Sequence, residues 1–241
     1  MTKIILVRHG QSLWNAENRF TGWVDSDLSE KGKAEAKLAG LLIKKLNISI
    51  STAYTSYLKR AGNTLNIILE ILGNSETKIE KAWEFNERHY GSLTGLNKTD
   101  TMLKLGKEKF KEYRRSWDKS PPPLGKDSEF LNEFSKLNSK IPIDSIPETE
   151  SLEDTYYRVL GYYKNKIVPE IQNGKNIIIA AHGNSLRAFC KFLFNISNEK
   201  INSLEIPTGN PMCVTLERST ANLLDVYYLD QNRKEPIIIN K

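Results

Sequence analysis

The sequence predicts an α/β fold of three layers, a mainly parallel sheet flanked by helices. Three observations predict it. Two short runs, KIILV at 3–7 and NIIIAA at 176–181, are apolar almost throughout, as strands buried on both faces are. Runs of this kind alternate with segments of helical apolar spacing, which argues for parallel strands joined by covering helices. The chain has 241 residues, which suits one domain over 1–241 carrying a modest insert.

Taken in order, the first strand at 3–7 is followed by a helix from about Ser29, a plausible N-cap. Ala34, Leu38, Leu41, Leu42 and Leu46 fall on one face of it. Residues 49–55 read as a second strand. A helix from about Leu58 to Leu72 comes next, stopped by Gly73. Residues 98–117 have amphipathic helical spacing and carry the basic pair Arg114-Arg115 near their end. Residues 118–149 hold Pro121-Pro122-Pro123, Pro142 and Pro147, which exclude a long regular element and predict a loop-rich insert able to serve as a lid. From Glu150 to Gln172 the spacing is helical again, opened by Ser151 with Asp154 three residues on and bent near Pro169. The strand at 176–181 is followed by a helix from about Asn184 through Phe194, and 213–217 and 223–229 supply the last strands.

Composition narrows the function classes. Hydrophobic residues make up 39% of the chain, enough for a sizeable core, and the apolar run at the N-terminus is too short for a signal-peptide core or a membrane span. Cys190 and Cys213 both lie in apolar runs and read as reduced core residues. A soluble, cytoplasmic protein without membrane attachment is the expectation. The net charge of +6 comes from lysines interspersed with acids, as in SEKGKAEAK, rather than from a basic stripe interleaved with aromatics, so nucleic acid is not the expected partner. No HExxH, CxxC pair or ligand-spaced carboxylate cluster predicts a metal, and no GxxxxGK[ST] loop predicts nucleotide-driven transfer.

The chemistry concentrates at two strand ends. ILVRHG places His9 just past the first strand, and IIAAHG places His182 just past the strand at 176–181. Ligands of open α/β sheets sit at the carboxyl ends of strands, so two histidines delivered there can face each other across one site. A single strand-end histidine is more often structural, but two such His-Gly pairs in a chain with three histidines favour a site. Gly10 and Gly183 let the backbone approach a ligand closely, and Gly183 precedes a helix whose free N–H groups favour an anion. Glu87, in EFNERHYGSLTG, lies among Asn86, Arg88, His89 and Tyr90 in what reads as a binding loop, although spacing alone does not single it out as an acid. Arg8, Arg60, Lys98, Arg114 and Arg115 are candidate anion-binding cations; the last two suit a helix C-terminus equally well.

These stretches together resemble the histidine phosphatase superfamily and, within it, the 2,3-bisphosphoglycerate-dependent phosphoglycerate mutases. The resemblance rests on LVRHGQSLWNAENRFTGWVDSDLSEKG, TSYLKRAGNTL, NERHYGSLTGLNK, YRRSWDKSPPP, ETESLEDTYYRVL, AAHGNSLRA and IPTGNP, and runs to about residue 218. It implies an isomerase of glycolysis and gluconeogenesis that interconverts 3- and 2-phosphoglycerate, primed by 2,3-bisphosphoglycerate and needing no metal. It implies His9 as the phosphorylated nucleophile, with a ring nitrogen held by a backbone carbonyl. Glu87 is then the general acid and base, and His182, Arg8 and Arg60 stabilise the phosphoryl group in flight. Substrate contacts are implied for Arg8, Ser12, Asn15, Thr21, Gly22, Arg60, Glu87, Arg88, His89, Tyr90, Lys98, Arg114, Arg115, Gly183 and Asn184. A homodimer or larger homo-oligomer is implied as well. Five cations would balance the four to five negative charges, estimated at roughly −1.5 to −2 per phosphate plus one carboxylate, of a bisphosphorylated glycerate. The C-terminal stretch DQNRKEPIIINK matches poorly. The alternative function is a broad-specificity histidine phosphatase that shares His9, Arg8 and His182; a non-catalytic relative and a bisphosphoglycerate synthase are further alternatives.

Overall fold

Six strands build the central sheet of the computed structural model, which describes residues 1–74 and 77–240: β1 (Thr2–Arg8), β2 (Thr52–Thr55), β3 (Lys78–Lys81), β4 (Ile177–Ala181), β5 (Met212–Leu216) and β6 (Leu223–Tyr228). Their order is β3-β2-β4-β1-β5-β6. The first four run parallel, and β5 and β6 add an antiparallel edge. The helices are α1 (Leu13–Ala16), α2 (Glu30–Lys44), α3 (Lys59–Leu72), α4 (Lys98–Leu105), α5 (Lys107–Arg115), α6 (Leu131–Ser135), α7 (Leu152–Tyr162), α8 (Val168–Gln172) and α9 (Gly183–Leu193).

The expected sandwich follows from the side-chain period of two. Ile4 and Leu6 of β1, with Ile177, Ile179 and Ala181 of β4, enter one buried cluster beside Val159 of α7 and Phe189 of α9. Ile5 and Val7, with Ile178 and Ala180, enter the opposite cluster beside Ala39 and Ile43 of α2 and Leu65 and Ile68 of α3. The β1–β4 ladder pairs Arg8 with Ala181, so the two chains leave the sheet side by side and deliver His9 and His182 as neighbours.

Several boundaries differ from expectation, each for a physical reason. The expected helix over 98–117 is two helices, because Gly106 sits at φ 80, a left-handed conformation that interrupts the ladder. The helix over 150–172 contains a π-helical turn at Tyr163–Ile167 just before Pro169, which restarts it as α8. Strand β2 covers only the second half of 49–55. Strand β3 was not expected: KIEK alternates charge and is mostly exposed at the sheet edge. Helix α2 buries Gly32, Ala36, Ala39, Gly40 and Ile43, whereas Leu38 and Leu41 stay exposed. The small residues let α2 lie close on α3, where a Cβ on Gly40 would come within 2.9 Å of the Ile71 side chain. The insert at 118–149 packs Leu124, Phe130, Phe134, Ile141 and Ile146 around Trp23 and Val24.

Candidate active site

His9 is 2% exposed, and its amide donates to Ala181 O across the sheet end at 2.9 Å. Its ring meets that of His182 edge-on with centroids 5.0 Å apart. The His9 loop is held tightly from behind: a Cβ on Gly10 would fall inside the Gly32 carbonyl of α2, and Gly10 N–H donates to Thr64 Oγ1 of α3. His9 Nδ1 lies 2.6 Å from Gly10 O. A carbonyl only accepts, so the neutral ring carries its proton on Nδ1 and keeps the Nε2 lone pair for a ligand. Burial holds the ring well below the ordinary histidine pKa, with Arg60 and Arg8 adding to the effect. His182 is shifted the same way, by burial first and then by Arg60. Its Nε2 meets Ser56 Oγ at 2.7 Å.

Glu87 reaches the same pocket from the loop after β3. Its Oε1 accepts from Arg88 N–H at 2.8 Å and from Asn184 N–H at 3.1 Å, the latter in the first turn of α9. Those two donors fix one oxygen and leave Oε2 to the pocket that Glu87 lines. Asn184 Nδ2 donates to Tyr90 OH at 3.0 Å, which links the Glu87 loop to α9 a second time.

The pocket is strongly cationic. Arg8, Arg19, Arg60, Lys98, Arg114, Arg115 and Arg187 line it against two acids, Glu87 and Glu205. Arg60, from the first turn of α3, donates to Val24 O and Gly22 O at 2.8 and 2.7 Å and so fixes the loop that brings Thr21 and Gly22 to the wall. Burial lowers Arg60 to about 10 and Arg187 to about 9, which leaves both charged at neutral pH. Buried nitrogens without a partner remain on Arg8 (Nε), Arg187 (Nε) and His182 (Nδ1). The excess of positive charge together with the unpartnered Arg8 and Arg187 nitrogens fits an anion with several oxygens.

Of the residues singled out in the sequence, Arg8, His9, Asn15, Thr21, Gly22, Arg60, Glu87, Tyr90, Lys98, Arg114, Arg115, Gly183 and Asn184 line this one pocket, and His182 stands beside His9. Ser12, Arg88 and His89 do not line it. Ser12 caps α1 and receives Asn15 N–H. Arg88 donates to Tyr113 O and Arg114 O and so holds the end of α5 that carries the arginine pair. His89 is wedged between Trp23 and Phe134, with Nδ1 accepting from Gly91 N–H. Among the described residues, none from 118–149 lines the pocket; the insert backs the Trp23 side. Sequence reasoning passed over Arg19, Arg187 and Glu205. Arg187 was findable, three residues after Asn184 on the same helical face. Glu205 pairs with Arg115 across the mouth, which no spacing announces. The described residues contain no group of three or more His, Cys, Asp or Glu able to hold a metal ion, and no helix long and apolar enough to cross a membrane.

Residues 4–227 match the family model of the histidine phosphatase superfamily (branch 1). The chain is 49% identical over 239 residues to a 2,3-bisphosphoglycerate-dependent phosphoglycerate mutase of Pelagibacter ubique (strain HTCC1062), covering 99% of this chain and 100% of the relative. It is 46% identical to a protein of the same name from Caulobacter sp. (strain K31), covering 98% of each. Among solved structures it is similar to a phosphoglycerate mutase from Bacillus anthracis str. Sterne, with TM-score 0.67 at 20% identity over 92% of this chain and 90% of the other. It is also similar to a mycobacterial glucosyl-3-phosphoglycerate phosphatase, with TM-score 0.72 at 17% identity over 95% and 97%. At those identities the structures show a shared fold.

Proposed function

The chain belongs to the histidine phosphatase superfamily, and on that footing we propose that it interconverts 3-phosphoglycerate and 2-phosphoglycerate by phosphoryl transfer through His9. The observation that carries this reading is the His9 ring itself: buried, neutral, its Nδ1 held by Gly10 O, and set 5.0 Å from His182 among arginines.

His9 Nε2 attacks phosphorus in line, and the bond to the leaving oxygen breaks as the N–P bond forms. Arg8, Arg60 and His182 meet the charge that spreads over the transferring oxygens, which is the main help a protein gives this reaction. In the forward direction Glu87 Oε2 takes the proton of the substrate's free hydroxyl as the phosphoryl group leaves His9. In the return it gives that proton to the departing alkoxide. Lys98, Arg114, Arg115 and Arg187 grip the carboxylate and the distal phosphate. The same cations fit 2,3-bisphosphoglycerate, whose roughly four to five negative charges match the cationic excess of the wall. When bound, it supplies the phosphoryl group that primes His9.

Incubation with 2,3-bisphosphoglycerate carrying labelled phosphate is expected to leave acid-labile label on His9 and none on His9→Ala. A coupled enolase assay is expected to show mutase turnover that rises with the primer and persists with a chelator. Hydrolysis of 3-phosphoglycerate outrunning its isomerisation would reject this reading in favour of a phosphatase.

A further inference from the structure

Beyond the pocket, one buried ion pair converges on the loop that carries Glu87. Arg158 of α7 and Glu150 just before α7 form a two-pronged bridge, Nε to Oε1 at 2.7 Å and the second terminal nitrogen to Oε2 at 3.0 Å, with both side chains less than a tenth exposed. The remaining donors of Arg158 all go to carbonyls of one short stretch: Glu84 O at 2.5 Å, Asn86 O at 3.0 Å and Glu87 O at 3.1 Å. Glu150 Oε2 accepts His89 N–H at 2.7 Å. The pair therefore grips the backbone on both sides of Glu87 and at Glu87 itself.

A buried pair of this kind is a poor source of stability, since desolvating two charges costs about as much as their attraction returns. Its geometry points to a different use. The Glu87 carboxyl must keep Oε1 on the Arg88 and Asn184 amides while Oε2 meets a substrate oxygen, and small misplacement of a proton-transfer group costs much rate. Tight contacts would hold Glu87 from the site side only through Oε1; the backbone behind it is set by Arg158, with Trp23 Nε1 donating to the same Glu87 O at 2.5 Å. We infer that Arg158, held by Glu150, is a positioning residue for the proton-transfer step, acting through the Glu87 backbone without touching substrate.

This inference rests on Glu87 being the general acid, and leaving-group chemistry tests the two separately. Transfer from an alkyl phosphate such as phosphoglycerate needs a proton on the departing alkoxide. Transfer from nitrophenyl phosphate does not, because the nitrophenolate leaves unprotonated. Three variants are compared with wild type on both substrates: E87Q, R158K, which keeps the charge but loses the fork, and R158M/E150Q, which leaves no charge buried alone. Arg158 as a positioning residue predicts a tenfold or greater fall in kcat for phosphoglycerate in both Arg158 variants. KM and the rate of His9 phosphorylation by nitrophenyl phosphate are expected to stay within threefold. Equal losses on the two substrates, or none on either, overturn the inference. Should R158M/E150Q fail to fold, R158K decides on the same comparison. E87Q is expected to show the same selective loss; if it does not, the role of Glu87 fails, whereas selective loss in E87Q without loss in the Arg158 variants rejects the positioning role alone.

Discussion

Acidifying the dephosphorylated, ligand-free protein from about pH 8 to about pH 5.5 is expected to remove about 4 kcal/mol of unfolding free energy. All three histidines of the chain, His9, His89 and His182, are buried. Burial, with Arg158 nearby, lowers His89 to about 4, and burial with Arg60 and Arg8 holds His9 and His182 well below the ordinary 6.5. In the unfolded chain each ring titrates near its ordinary value. Below that value the unfolded state binds up to three protons that the folded state refuses. Stability is therefore fully present above 6.5 and falls as pH falls from there toward each folded pKa. One unit below the unfolded value, a ring that stays neutral forfeits about 1.4 kcal/mol, so three forfeit about 4, a large part of a typical total of about 5–15 kcal/mol. Glu84, which burial raises, opposes the trend as one carboxyl against three rings. Urea melts at several pH values and fixed ionic strength read this directly from the midpoint at constant slope. His89→Asn, whose amide oxygen can still accept the Gly91 amide, is expected to remove about a third of the pH dependence. A total loss below about 1 kcal/mol, or an unchanged dependence in that variant, refutes the neutral-ring account.

Arg60→Lys replaces the planar fork that holds Val24 O and Gly22 O on two separate nitrogens with a single ammonium nitrogen. A fall in kcat/KM of about tenfold or more follows, measurable in the coupled assay. Gly10→Ala drives a methyl into the Gly32 carbonyl, a clash between two backbones with little room to give; a loss of about 3 kcal/mol is expected by chemical denaturation. Gly62→Ala is the contrast. A Cβ there meets nothing within 4 Å inside α3, and a gain of up to about 1 kcal/mol is expected from helix propensity. Ser151→Ala removes the capping box that opens α7 with Asp154, and a loss of about 1 kcal/mol in the same melts is expected.

What the sequence made legible was what local pattern determines. His9 and His182 were found because each follows an apolar strand and precedes glycine, and the β1–β4 register then does the rest. The capping residues Ser29 and Ser151 were legible from side-chain type alone. Strand β3 was not, because an exposed edge strand needs no apolar face. The buried face of α2 was misplaced because close packing on α3 selects small residues, whereas hydrophobic periodicity follows the larger Leu38 and Leu41. Arg158 was invisible as anything but a helical cation, since its role depends on carbonyls that lie some seventy residues away along the chain and converge only in three dimensions.

The way the pocket cations are partnered favours a polyanion over a small neutral ligand. Arg8 donates to Ile206 O, Arg60 to Gly22 O and Val24 O, Lys98 to Arg19 O, and Arg187 to Asn184 Oδ1 and Ile201 O. These acceptors are uncharged. They fix the direction of each cation without neutralising it, so the charge stays available to a ligand in a site that water screens poorly. Carboxylates reach only the rim among the described ion pairs of these groups, Glu17 on Arg19 and Glu205 on Arg115. The pocket cations therefore repel one another, visible in the depressed pKa of Lys98 and Arg114, for which burial is the larger cause and neighbouring arginines a further one. An anion with charge at both ends relieves that repulsion along the whole wall, whereas a monophosphate relieves it only where it sits. Binding free energy thus grows with the number of anionic groups engaged at once.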